Sequence, residues 1–244
     1  MEHNTDNNDK DSKESHKEEK RDIAEKMGDV SGKKPKIVYF IRHGSTPLNE
    51  DSDRFCGSTD VFLSKTGNER IHKIAGELNG ILSVNHIIAS PLRRTVETAE
   101  ILSKALSVPY ITNNNIREID FGEWEKLTKA EINEKYPSIY QQWLIRSDVT
   151  TPPKGESPYD VAKRAITFKN QIMEEEEPVL VVAHKTFLRI AICTWLSIPL
   201  KSYRHVFNIY GGALGCIHFY PIESKLALLN WMPGHEFPRL TKND

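Results

Sequence analysis

Arg42-His43-Gly44 stands where an apolar run, Lys36-Ile37-Val38-Tyr39-Phe40-Ile41, comes to an end. An imidazole between a guanidinium and a glycine suits attack on a phosphoryl group. The arginine holds the anion, the imidazole is the nucleophile, and the glycine lets backbone come close. A tripeptide of this kind also occurs in plain turns. Two further apolar runs end in matching residues. His86-Ile87-Ile88-Ala89 leads into Ser90, with Arg94 close behind, and Pro178-Val179-Leu180-Val181-Val182-Ala183 ends at His184-Lys185. Taken singly, His184 reads as a core histidine after a buried strand, and Arg94 as a surface partner of Glu97 or Thr98. Recurrence at separate strand ends favours one shared site over separate coincidences.

The elements that must carry these residues alternate. Lys36–Ile41, His86–Ala89, Val108–Ile111 and Pro178–Ala183 read as short buried strands. Helical spacing of apolar residues runs from Leu63-Ser64 to Leu78, and through Leu92, Val96, Ala99, Leu102 and Leu106. Ser90-Pro91 reads as the cap and first position of the latter helix. Thr128–Ile145 reads as helix broken near Pro137, Tyr159–Met173 as helix, and Thr186–Leu196 as helix. Ala213–Tyr220 and Leu226–Trp231 close the chain as strands paired in a hairpin. This alternation predicts an α/β fold: a three-layer α/β/α sandwich around a doubly wound, mostly parallel sheet. The carboxyl ends of parallel strands share one edge, where ligands bind. Topology thus brings two histidines and two arginines together, and helix N-termini at that edge would add amide donors for a phosphate.

Composition sets the bounds. The 244 residues carry a net charge of −1, which argues against a nucleic-acid or membrane partner. Residues 1–34 are rich in Asn, Asp, Glu, Lys and Ser and nearly free of large apolar side chains. They read as a disordered charged tail, and 35–244 as one domain. The N-terminus shows no apolar leader, and no apolar run approaches transmembrane length. Cys56, Cys193 and Cys216 match neither a disulfide framework nor a metal spacing, and point to reduced thiols in a cytoplasmic protein.

Ordered motifs from residue 36 to the end resemble the histidine phosphatase superfamily, also described as phosphoglycerate-mutase-like. Arg42-His43-Gly44-Ser45-Thr46 with Asn49 resembles the nucleophile motif, and Arg54-Phe55-Cys56-Gly57-Ser58-Thr59-Asp60 the next substrate-facing loop. Ser90-Pro91-Leu92-Arg93-Arg94 with Thr98-Ala99 is similar to the second-arginine helix. Arg117-Glu118-Ile119-Asp120-Phe121-Gly122-Glu123-Trp124-Glu125 is similar to the proton-donor segment, Gly155-Glu156-Ser157 to a loop before a helix, and Val182-Ala183-His184 to the second-histidine strand. The resemblance implies that His43 becomes a phosphohistidine that water then hydrolyses. Arg42, Arg94 and His184 would hold the phosphoryl oxygens, and Asn49, Gly57 and Lys185 would complete the substrate-binding set. Glu118 ranks first as general acid and Asp120 second. The resemblance implies no metal and no cofactor.

Two positions depart in kind from that pattern. Lys185 stands where a glycine is usual, adding a cation to the pocket or pointing away from it, and Cys56 replaces a small polar residue. The spacing from Asn49 to Arg54 is also longer than usual. The stretch from Glu118 to His184 is short, as in the phosphatase branch. That short stretch and the resemblance imply a metal-independent phosphomonoesterase acting on a small phosphorylated metabolite, with Trp124, Tyr136, Trp143 and Lys185 as pocket walls; Tyr136 and Trp143 read equally as core residues of the covering helices. The alternatives are a phosphoglycerate-type mutase and a phospho-ligand binding protein without catalysis. The strands around Gly211–Trp231 offer an edge where a homodimer could form.

Overall fold

The computed structural model describes residues 34–50, 54–175 and 178–236. The tail expected over 1–34 therefore lies, apart from Lys34, outside the described residues. The sheet has six strands in the order β3-β2-β4-β1-β5-β6. They are β1 (Lys36–Arg42), β2 (His86–Ala89), β3 (Tyr110–Thr112), β4 (Val179–Ala183), β5 (Leu214–Phe219) and β6 (Ser224–Trp231). The first four run parallel. β5 pairs antiparallel with β1, and β6 antiparallel with β5, so the expected hairpin closes one edge.

Alternation of side chains along a strand sends successive residues to opposite faces. Ile41 of β1 and Leu180 and Val182 of β4 therefore meet one helix layer, while Val38, Phe40, Val179 and Val181 meet the other. The first layer comprises α2 (Lys65–Leu78) and α3 (Arg93–Leu106), packed through Ile71, Ile74, Ala99 and Leu102. The second comprises α6 (Pro158–Glu174) and α7 (Lys185–Trp195), packed through Phe168, Ile172, Ala191 and Ile192. Each large apolar side chain buried in this way contributes about 1.5–3 kcal/mol.

α4 (Lys129–Lys135) and α5 (Pro137–Ile145) are split at Tyr136, as expected near Pro137. Proline suits the first turn of α5 but has no amide with which to continue α4. The short α1 (Pro47–Glu50) and the 3-10 turns at Asn114–Ile116, Gly122–Trp124 and Leu200–Ser202 were not legible in the periodicity.

One expected element begins differently. α3 starts at Arg93 with Leu92 at its cap, and no side chain caps it there. Ser90 lies two residues ahead of that cap; its hydroxyl accepts from the Leu92 amide at 3.5 Å and pairs with His184 across the sheet edge at 2.8 Å.

Candidate active site

Strand register assembles the centre. Arg42 lies beside Ala183, and Ala89 beside Val182, so the ends of β1, β4 and β2 are level. Ladder bonds continue just past those ends: the His43 amide donates to the Ala183 carbonyl at 3.1 Å, and the Ser90 amide to the Val182 carbonyl at 3.0 Å. His43, His184 and Arg94 then meet under near-complete burial, at 4%, 0% and 0% exposure.

Hydrogen bonding fixes the histidine tautomers. His43 Nδ1 lies 2.6 Å from the Gly44 carbonyl, which can only accept, so Nδ1 carries the proton. Nε2 keeps its lone pair and accepts from Arg94 Nε at 3.3 Å. The same Nε–H reaches His184 Nδ1 at 3.2 Å. His184 must therefore be protonated at Nε2, which donates to Ser90 Oγ at 2.8 Å. Burial first, then the Arg94 guanidinium, holds both imidazoles well below the usual histidine pKa. Both rings are neutral in the empty site.

Arg94 is aimed by a loop. Its terminal nitrogens donate to the carbonyls of Gly57 at 2.7 Å and Thr59 at 2.8 Å. Glu125 pins that loop, accepting from the Ser58 amide at 2.6 Å and the Ser58 hydroxyl at 2.8 Å, and also from the Thr59 hydroxyl. Gly57 sits at φ +51°, where a Cβ would overlap the Glu125 carboxyl. Gly44 has a different use from the one expected. A Cβ there would lie 2.8 Å from the Gly67 carbonyl, so this glycine serves close packing of α2 rather than approach to a ligand.

Above this centre opens a cavity of about 250 Å³. Arg42, His43, Asn49, Gly57, Arg94, Glu118 and Lys185 line it, so Lys185 does face the pocket. His184 does not line it and lies beneath Arg94. Of the neighbouring acids only Glu118 reaches the cavity. Asp120 accepts from the Gly122 amide at 2.7 Å, and Glu123 is bonded to Lys154 and Tyr136.

Side chains already engage amides at the helix N-termini. Glu118 accepts from the Thr186 amide at 3.0 Å and the Phe187 amide at 2.8 Å at the start of α7. Asp60 accepts from the Arg93 amide at 2.7 Å, and Asn49 Oδ1 from the Thr46 amide at 3.0 Å. Side chains of the chain itself fill the positions expected for a phosphate. The side chains of Arg42, Asn49, Arg94 and Lys185 line the cavity with polar groups.

Two expected pocket walls lie elsewhere. Trp124 is fully buried at the middle of an aromatic cluster with Phe55, Tyr140 and Trp143. Tyr136 bonds to Glu123 at the helix break. Trp143 does line the cavity, as do Arg189 and Arg204, which the sequence reading did not single out. Arg189 was findable, since it follows Lys185 by four residues and so shares its helix face. Arg204 has no comparable local signal.

Among the described residues no three His, Cys, Asp or Glu side chains are grouped as a metal ion would require, and no helix is long and apolar enough to cross a membrane.

Comparison with known proteins shows the family and the fold. A bifunctional protein from Mycobacterium tuberculosis is 34% identical over 164 residues, covering 65% of this chain; the chain spans only 44% of that protein's length. An acid phosphatase from Mycobacterium tuberculosis is 32% identical over 205 residues, covering 82% of this chain and 95% of that one. The crystal structure of a putative alpha-ribazole-5'-P phosphatase from Escherichia coli shares the fold, with TM-score 0.74 and 23% identity over 83% of this chain and all of that one. The family model described as histidine phosphatase superfamily (branch 1) matches residues 38–232, and the chain belongs to that family.

Proposed function

We propose that the protein is a phosphomonoesterase of small phosphorylated metabolites, working through a phosphohistidine on His43. One observation carries the reading. His43 Nδ1–H is pinned to a carbonyl, which leaves the Nε2 lone pair beside Arg94 at the cavity floor. A neutral imidazole presenting Nε2 among fixed cations suits in-line attack on phosphorus.

In the first step Nε2 forms a bond to phosphorus as the ester P–O bond breaks. Arg42 and Arg94 stabilise the phosphoryl oxygens, where charge is spread in a loose transition state. The Glu118 carboxyl proton passes to the leaving alkoxide. In the second step water attacks phosphorus, Glu118 takes its proton, and the P–N bond breaks to release phosphate and restore His43. His184 acts through Arg94 as a positioning residue.

The test is phosphate release from a panel of phosphate esters with chelator present, comparing wild type with His43→Ala. We expect release by wild type alone, with acid-labile label trapped on the wild-type protein. Equal release by His43→Ala would place the nucleophile elsewhere. Label without net release would indicate a mutase, and neither label nor release a binding protein.

A further inference from the structure

We infer that the substrate carries a second anionic group, a carboxylate or another phosphate, held by Arg189 and Arg204. The inference rests on the phosphomonoesterase reading and deepens it.

A single phosphoryl group is served by Arg42 and Arg94, yet the same cavity also presents Arg189 and Arg204. Both are half-buried, and neither forms an ion pair with a carboxylate among the described residues. Their partners are neutral groups. Arg189 donates to Asn208 Oδ1, and its buried Nε has no hydrogen-bond partner. Arg204 donates to the Trp143 carbonyl at 2.9 Å and lies 3.5 Å over the Trp143 ring.

Burial, and then repulsion from Arg204, pulls the Arg189 pKa down; attraction from Glu118 is the smaller effect. The Glu118 oxygens accept from backbone amides at the start of α7 and make no ion pair with either arginine. Two neighbouring guanidinium groups, partly desolvated and with no carboxylate in ion-pair contact among the described residues, are unfavourable until an anion arrives. Arginine's planar fork suits carboxylate and phosphate equally well.

The cavity also limits the separation. His43, Arg189 and Arg204 line the same space of about 250 Å³, so the two anions belong to one small molecule with a short carbon skeleton. Phe55, Phe121 and Trp143 supply apolar wall around that skeleton.

The test compares three ligands of matched skeleton: n-propyl phosphate, 3-phosphonooxypropanoate and propane-1,3-diol bisphosphate. Their affinities for His43→Ala protein are measured by calorimetry, which does not depend on turnover. One or both of the doubly anionic ligands should bind about ten- to a hundredfold more tightly than propyl phosphate, the range for charge-assisted hydrogen bonds. Whichever of the two binds tighter names the second group. Arg189→Gln and Arg204→Gln, each added separately, should bring the ratio towards one. If one variant fails to fold, the other decides. Equal affinity for all three ligands, or a ratio retained in the folded variants, would overturn the inference. Propyl phosphate hydrolysed by wild-type protein as efficiently as the other two would also overturn it, while leaving the phosphatase reading intact. Absence of hydrolysis of any ester would count against the phosphatase reading and would not alter the binding ratios.

Discussion

Ser90→Ala should unsettle the centre without touching any group that meets the substrate. The His184 Nε2–H would lose its acceptor, now 2.8 Å away, in a place where both residues are 0% exposed. A buried donor left unsatisfied costs about 1–3 kcal/mol. The ring cannot escape by changing tautomer, since a proton on Nδ1 would face the Arg94 Nε–H at 3.2 Å, donor against donor. For a domain of this size about 1 kcal/mol moves Tm by roughly 2–4 °C, so a fall of about 2–12 °C is expected. Arg94 is held on one side by His184, and its displacement should lower kcat by about tenfold or more. Thermal unfolding followed by circular dichroism reads the first effect, and steady-state phosphate release the second. Imidazole nitrogen NMR reads the cause directly: His43 protonated at Nδ1, His184 at Nε2. A melting temperature within about 1 °C of wild type, together with unchanged turnover, would refute the reasoning.

Gly57→Ala should cost at least about 1 kcal/mol from its left-handed backbone alone, and more from overlap with Glu125, with turnover reduced because the Gly57 carbonyl aims Arg94; urea unfolding and kcat check it. Stability should also fall in weak acid. His43 and His184 are held well below the ordinary histidine pKa of 6.5, so below pH 6.5 the unfolded chain takes up protons that the folded chain refuses. Each ring then removes up to about 1.4 kcal/mol per pH unit, until its folded pKa is reached. Urea unfolding between pH 7 and pH 5 measures that slope, and a His43→Gln, His184→Gln double variant should show a shallower one. Equal slopes would mean that the rings are not held neutral.

The sheet and the meeting of Arg42, His43, Arg94 and His184 were legible because strand pairing is a strong constraint. Once β1, β2 and β4 are identified and neighbouring, their ends coincide whatever the loops do. The Pro137 break was legible because proline lacks an amide. The capping role of Ser90 was legible, since its hydroxyl takes the Leu92 amide, but its second partner, His184, is 94 residues away and carries no local signal. Trp124 was misplaced for a related reason, since hydrophobicity at one position does not tell core from pocket wall. Helix N-termini at the sheet edge were foreseeable, but their occupation by Asn49, Asp60 and Glu118 depends on loops whose paths carry no period. Arg204 joins the cavity through the turn after Leu200–Ser202, and no spacing rule connects that turn to His184.

The forked contact of Arg94 Nε has a consequence for selectivity. One hydrogen faces two lone pairs, His43 Nε2 and His184 Nδ1, so the resting nucleophile is partly masked. On the proposed mechanism an incoming phosphoryl oxygen competes for that hydrogen and uncovers Nε2 as it binds. An uncharged electrophile offers no such competition and meets a quiet imidazole. The anion would then be both the cargo and the key, and an uncharged alkylating reagent would find Nε2 masked.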